Sequence, residues 1–296
     1  MDHLPENLKG IFPFRLGTTS FIIPDEIVPN VEFLSKYVDD VELLVMESDV
    51  MSPLPEKLQI DRLEEIAQSH GLSYTVHLPL DIEPGSDNTV ARCESVRKIV
   101  RVFERFAALA PHSFILHLPK ELENDKDESS EWAGNCRKSI EEILSSTKLE
   151  PRKLCVENLD YSFSLVSNII EELDLPICFD VGHLLKAGGD VIQFWNDWKA
   201  RIKVIHLHGV NKDGRDHCDI SEMDECILDE LLEQLVADQQ MERVLTLEVF
   251  NMEKLRKSVL GAFGKYMSDV TKVIRVMKKL RSLAELQLFI DSFSEK

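Results

Sequence analysis

KLCVENL at residues 153–159, PICFDVGH at 176–183 and IKVIHLHGV at 202–210 share one pattern. Each is a short, nearly continuous apolar run that closes on Glu, Asp or His, and continuous runs of this length are how strands buried on both faces read. Between them, residues 163–173 and 191–199 carry apolar positions at helical spacing. The pattern is strand, helix, strand, helix, strand, which implies a parallel sheet with crossover helices.

The same alternation extends in both directions. Upstream lie FRLGTTS at 14–20, VELLVME at 41–47, SYTVHLPL at 73–80 and SFILHLP at 113–119, and downstream lies RVLTLEVF at 243–250. Helical patterns fill the gaps at 58–70, 94–110, 132–144 and 222–236, with Gly71 as a stop signal after the first and Val96, Ile99, Val100, Phe103 and Phe106 on one face of the second. Eight strand–helix units predict an α/β fold, a (β/α)8 TIM barrel spanning about residues 14–263, with 252–263 as its last helix. The competing open doubly wound sheet predicts a glycine-rich phosphate turn after the first strand, and LGTTSF lacks GxGxxG.

Residues 266–280 and 282–293 add amphipathic segments beyond the barrel's needs. They are read as extra C-terminal helices over about 264–296, capping the barrel or forming an oligomer contact. No linker divides the chain, so 1–296 reads as a single domain. The acidic stretch at 120–131, KELENDKDESSE, is read as a solvated loop; its place after the fourth strand also suits a lid.

The chain carries 53 Asp and Glu against 34 Lys and Arg, a net charge of −19. Nucleic-acid binders neutralise phosphates with Lys and Arg, so a general DNA or RNA partner is not expected. A small anionic substrate remains compatible, because bound cations dominate the local field of a pocket. No run reaches the roughly 18 apolar residues of a membrane span and the start lacks a signal-peptide pattern, so the reading is a cytoplasmic protein without membrane contact. Six cysteines without a CxxC pair are read as reduced thiols, with Cys155 and Cys178 as small buried hydrophobes.

Chemistry concentrates at the predicted strand ends. Glu47, His77, His117, Glu157, Asp180, His183, His206, His208 and Glu248 all fall there, and His217 follows in the loop NKDGRDHCDIS. In a barrel the carboxyl ends of the strands form one mouth, where active sites are built. Any one of these histidines alone is ordinarily a hydrogen-bonded side chain. Converging carboxylates, however, repel one another unless cations compensate them. The imidazole and carboxylate mixture suits two or three divalent ions, zinc, iron or manganese. Arg15 and Arg215 are candidate substrate contacts, with surface ion pairs as the alternative for each. Asn158 or Asp160 is expected to orient Glu157. Gly188 and Gly189 read as a plain turn.

The set TVHLPL, ILHLPK, CVENLD, CFDVGH, IHLHGV, RDH and TLEVF resembles the xylose-isomerase-like barrel superfamily that contains endonuclease IV. That resemblance implies three metals: one on His77, His117 and Glu157, a second on Glu157, Asp180, His206 and Glu248, and a third on His183 and His217. It departs at Arg215, where the endonuclease pattern has Asp, which implies a weaker or differently built third site. HLHGV offers both His206 and His208; one is a ligand and the other a substrate contact, with His206 preferred as the ligand. Glu47 lies outside the ligand pattern, as a substrate or supporting group.

The opening FPFRLGTTSFIIPDEIVPNV at 12–31, VDDVELLVMES at 38–48 and YTVHLPLDI at 74–82 are similar to the cobamide-remodelling phosphodiesterases called CbiR. This resemblance implies a corrinoid substrate and hydrolysis of its nucleotide-loop phosphodiester, with Glu157, Asp180 and Glu248 central to the chemistry. A single-metal sugar isomerase or epimerase, and an abasic-site nuclease, are the alternatives on the same scaffold. The surplus ligands His77, His117, His183 and His217 favour the phosphodiesterase, and the acidic rim disfavours DNA.

Overall fold

The computed structural model describes residues 8–45, 54–120, 131–238 and 242–259. Eight parallel strands close into a barrel in sequence order: β1 (Arg15–Thr19), β2 (Asp40–Leu44), β3 (Ser73–His77), β4 (Ser113–Leu116), β5 (Leu154–Glu157), β6 (Ile177–Asp180), β7 (Ile202–Leu207) and β8 (Val244–Leu247). The helices between them are α1 (Ile27–Leu34), α2 (Lys57–His70), α3 (Thr89–Phe106), α4 (Glu131–Thr147), α5 (Ser164–Glu172), α6 (Val181–Lys186), α7 (Val191–Trp198) and α8 (Glu225–Ala237). Helical backbone resumes over 252–259. The predicted barrel is therefore observed.

Strand alternation assigns the two faces. Outward residues such as Tyr74, Val76 and Phe114 join the main core against the helices, and the Tyr74 hydroxyl donates to the Leu63 carbonyl on α2 at 2.7 Å. Inward residues Ile115, Cys155, Cys178, Val204 and Val244 form a separate apolar cluster inside the barrel. Burial pushes the Cys155 thiol up to about 11 and the Cys178 thiol up as well, so both act there as neutral packing groups.

Two helices were not anticipated. α1 is short and carries Pro29, which the first turn of a helix tolerates because its missing N–H has no intrahelical acceptor there. α6 starts directly on β6: Asp180 is its N-cap, and the Asp180 Oδ1 accepts from the His183 N–H at 2.6 Å. Gly71 ends α2 in the left-handed conformation, as its stop signal implied.

Arg15 requires a correction. It opens β1 at the amino end of the barrel, where its guanidinium donates to Glu242 Oε1 at 2.8 Å and to Ser73 Oγ at 2.8 Å. Strand order in a parallel barrel places that end opposite the mouth, so Arg15 is not a substrate contact. Glu47, most of the acidic stretch (121–130) and the C-terminal helical segments lie outside the described residues. No helix among the described residues is long and apolar enough to cross a membrane.

Candidate metal centre

The carboxyl ends of β3 to β8 bring the predicted ligands together. Glu157, which ends β5, is the hub. Its Oε1 lies 3.1 Å from His117 Nε2 and 3.2 Å from His183 Nδ1, and its Oε2 lies 3.3 Å from His206 Nδ1 and 3.8 Å from His77 Nε2. His206 Nδ1 also lies 3.4 Å from Glu248 Oε2 and 3.8 Å from Asp180 Oδ2. His217 Nδ1 lies 3.5 Å from Glu248 Oε2. A one-residue slip in the β6–β7 register, between Ile177 and Cys178, sets Asp180 opposite His206.

Electrostatics in the mouth pull against burial. For Glu157, burial favours the neutral acid, yet His117 and His206 outweigh it and hold the carboxyl well below the usual range. Burial likewise opposes ionisation of Asp180, but His208 holds it down at about 2. Burial dominates at Glu248, which is pushed up to about 7. His183 is driven the other way: burial disfavours its charge, but the nearby carboxylates of Glu157, 3.2 Å away, and Asp180 lift it to about 10. His77 is lowered to about 4 by burial and by His117, which suits a neutral imidazole ligand.

These contacts are close but poorly formed as hydrogen bonds. Glu157 Oε1 and Oε2, His117 Nε2, His183 Nδ1, His206 Nδ1 and Glu248 Oε2 are buried with no hydrogen-bond partner among the described residues. Six orphaned lone-pair or N–H positions facing one another are unfavourable in a dry interior, since each carries an uncompensated desolvation cost. Divalent cations shared among these atoms would resolve the conflict. The donor set, imidazole nitrogen with carboxylate oxygen, fits such an ion. Two overlapping groups result: His77, His117 and Glu157, then Glu157, Asp180, His206 and Glu248.

His206 lies in β7 and His208 just past its end, and both are fully buried, but their nitrogens are used differently. His208 Nδ1 accepts from the His217 N–H at 2.9 Å, and its Nε2 faces Asp180 Oδ1 at 3.2 Å. Both positions are therefore engaged by the protein, and His208 ties Asp180 to the loop carrying His217. His206 keeps Nδ1 free for an ion. The imidazoles of His183, His208 and His217 nevertheless stand close enough to form a third group. His217 adopts a left-handed backbone, φ 49°, and Lys254 Nζ holds its carbonyl at 2.7 Å.

The glycine of DVGH has a packing reason. A Cβ on Gly182 would fall 2.0 Å from His208 Cε1, so only glycine leaves room for that ring. Asn158 differs from its expected role: its amide donates to the Asp180 carbonyl and accepts the Asp180 N–H, both at 2.8 Å, so it fixes the main chain of Asp180 and not the side chain of Glu157. Asp160 is exposed. Arg215 is exposed on the β7 loop, with its backbone paired to Asn211. Gly188 and Gly189 close α6 by backbone bonds to Leu185 and Leu184.

The LGTTSFIIP stretch joins this architecture. Thr18 and Thr19 hydroxyls donate to the Leu247 and Val249 carbonyls at 2.8 Å, pinning β1 on either side of Glu248. Phe21, just beyond, exposes about half of its surface (53%), and Leu80 after β3 is also exposed at 43%. The residue missed by sequence reading is Glu42, in mid-β2, fully buried with its Oε2 2.8 Å from His206 Nε2.

The sequence matches the description "Xylose isomerase-like TIM barrel" over residues 32–279. An uncharacterised protein of Methanocaldococcus jannaschii is 24% identical over 226 residues, covering 72% of this chain and 76% of that protein. Among solved structures, a D-tagatose 3-epimerase-like protein superposes with a TM-score of 0.69 at 19% identity, covering 88% of this chain and 100% of the other. Endonuclease IV from Thermus thermophilus superposes with a TM-score of 0.63 at 16% identity, covering 79% of this chain and 92% of the other. Those two likenesses concern the fold, and the match over residues 32–279 settles the family: the chain belongs to the xylose isomerase-like TIM barrels.

Proposed function

We propose that this chain is a metal-dependent phosphodiesterase that hydrolyses the nucleotide-loop phosphodiester of cobamides, giving a cobinamide phosphate and an α-riboside. The observation that carries the hydrolase reading is the surplus of ligands. Glu157, Asp180, His206 and Glu248 would already complete a one-ion site, yet His77 and His117 also converge on Glu157, at Oε2 and Oε1 respectively, with His117 Nε2 orphaned. A one-ion isomerase has no use for that second group. The corrinoid substrate rests on the resemblance of residues 12–31, 38–48 and 74–82, and the apolar side chains Phe21 and Leu80 after β1 and β3 suit a large amphipathic ligand better than a small sugar.

Bound divalent ions supply Lewis acidity toward the phosphodiester and lower the pKa of an attacking water. The chain's own residues do the placing. Glu157 would serve both ions, with His77 and His117 completing the ligands of one and Asp180, His206 and Glu248 those of the other. Asn158 and His208 keep Asp180 in register from its main-chain and side-chain ends. His183 and His217 offer a weaker third position, because Arg215 replaces a carboxylate and the neighbouring His208 is engaged by the protein. In the net reaction, water adds across the P–O bond, phosphate stays on the cobinamide side, and the departing ribosyl oxygen takes a proton.

A second reading is favoured by the fold likeness to an epimerase-like protein and by the complete one-ion set. Incubating metal-loaded protein with adenosylcobalamin, an abasic duplex and a ketohexose separates the readings. Release of an α-riboside supports the proposal. Full metal loading without corrinoid cleavage removes the substrate assignment, and ketose turnover replaces it.

A further inference from the structure

Glu42 is a fully buried carboxyl in the barrel without a place in the proposed ligand set. It sits in the middle of β2, and its side chain reaches across the barrel interior to β7, where Oε2 meets His206 Nε2 at 2.8 Å. Both residues are fully buried. Oε1 has no hydrogen-bond partner among the described residues, so the carboxyl is committed to one contact. Burying a carboxyl for one partner is costly unless that partner needs it.

The chemistry of an imidazole ligand supplies the need. A neutral histidine carries one N–H, and the nitrogen that binds an ion must be the other. With Oε2 as acceptor, a ring that binds an ion would keep its proton on Nε2 and present the lone pair of Nδ1. Nδ1 is the atom that lies 3.3 Å from Glu157, 3.4 Å from Glu248 and 3.8 Å from Asp180. The contact also fixes ring rotation, because Glu42 holds one ring nitrogen while the other faces the three carboxylates.

We infer that Glu42 is a positioning residue for the second ion, acting through His206 by fixing its tautomer and ring orientation. This rests on the metal reading above. It places half of a carboxyl–imidazole–metal arrangement in a strand interior, where no strand-end rule would look for it. Outer carboxyls of this kind typically change affinity for the ion by about 10–100-fold.

The test uses the full-length protein stripped of metal and titrated with Zn2+ against a chromophoric chelator, for wild type, Glu42→Ala and Glu42→Gln. Melting of the metal-free forms is followed by circular dichroism. The expected result is that Glu42→Ala weakens one ion by about 10–100-fold and leaves the ion on His77, His117 and Glu157 unchanged. Glu42→Gln keeps an acceptor and recovers most of that loss. A purely structural role would shift the melting of the metal-free protein without changing zinc affinity, and that outcome overturns the inference. Equal affinity in all three proteins overturns it alone; no zinc bound even by wild type overturns the metal reading beneath it as well. Should Glu42→Ala not fold, Glu42→Gln against wild type decides the point: a Gln variant binding the second ion no better than a His206→Ala variant contradicts tautomer positioning by the acceptor.

Discussion

The two ends of the barrel are both rich in charge, yet they ask for different things. At the amino end, each of three cations meets a hydrogen-bond acceptor. Arg15 bonds Glu242 and Ser73, Lys203 Nζ bonds the His112 and Arg152 carbonyls at 3.0 and 2.9 Å, and Arg201 bonds Asp174 at 3.1 Å. At the carboxyl end, the ion-pair partners of Glu157, Asp180 and Glu248 among the described residues are all histidines, and six of the facing atoms lack a hydrogen bond. Charge alone therefore does not mark a ligand site. What marks it is charge of the same kind brought together with its hydrogen-bonding capacity left over.

That contrast breaks most visibly at the hub. Glu157→Gln removes the shared carboxylate from both ion groups, and the expected outcome is loss of tight binding at both, with activity down by at least about a thousand-fold, in line with metal-centred catalysis; titration of metal-free protein and turnover assays read both. Next in size is Gly182→Ala, whose Cβ collides with the His208 ring. It displaces Asp180 and His217 together, and metal affinity should fall by about 10–100-fold as for other supporting contacts. His208→Ala should weaken binding by less and keep the ion count of wild type.

The amino end gives smaller effects of a different kind. Burial raises the Asp40 carboxyl to about 6, partly offset by its bond to Ser73, whereas an unfolded Asp titrates near 3.8. Folding therefore takes up protons between those values, so the stability carried by protonated Asp40 is full below about 4 and lost as pH rises through 6. Asp40→Asn should flatten that loss, with a difference from wild type of up to roughly 3 kcal/mol above pH 6, read by denaturant unfolding of metal-free protein. Arg15→Ala, which removes a contact to the exposed Glu242, should cost less than about 1 kcal/mol and leave metal binding unchanged.

The fold was legible because six of eight strand runs end on a ligand or beside one, and helical spacing separates them. Limits appear where local pattern and register part company. VELLVME reads as one run ending at Glu47, but β2 stops at Leu44, and the inward set is Asp40, Glu42 and Leu44. Strict two-residue alternation from Asp40 would have found Glu42; the apolar run concealed it. Arg15 was misplaced although its position was legible: it is the second residue of FRLGTTS, and the start of a strand in a parallel barrel lies opposite the mouth. His206 and His208 are two apart in the run IKVIHLHGV, so sequence puts both inward and is silent on which nitrogen each commits. Asn158 was foreseen as a helper, but its target depended on the β5–β6 pairing.

The central claim is that the mouth is a multi-ion centre. Metal content per chain, measured by mass spectrometry on purified wild type and on His117→Ala after saturation with zinc, iron or manganese and removal of excess, tests it most directly. Two tightly held ions, with a weaker third, falling by one in His117→Ala, is the predicted result. One ion per chain, unchanged in His117→Ala, would contradict it and leave the one-ion epimerase chemistry in its place.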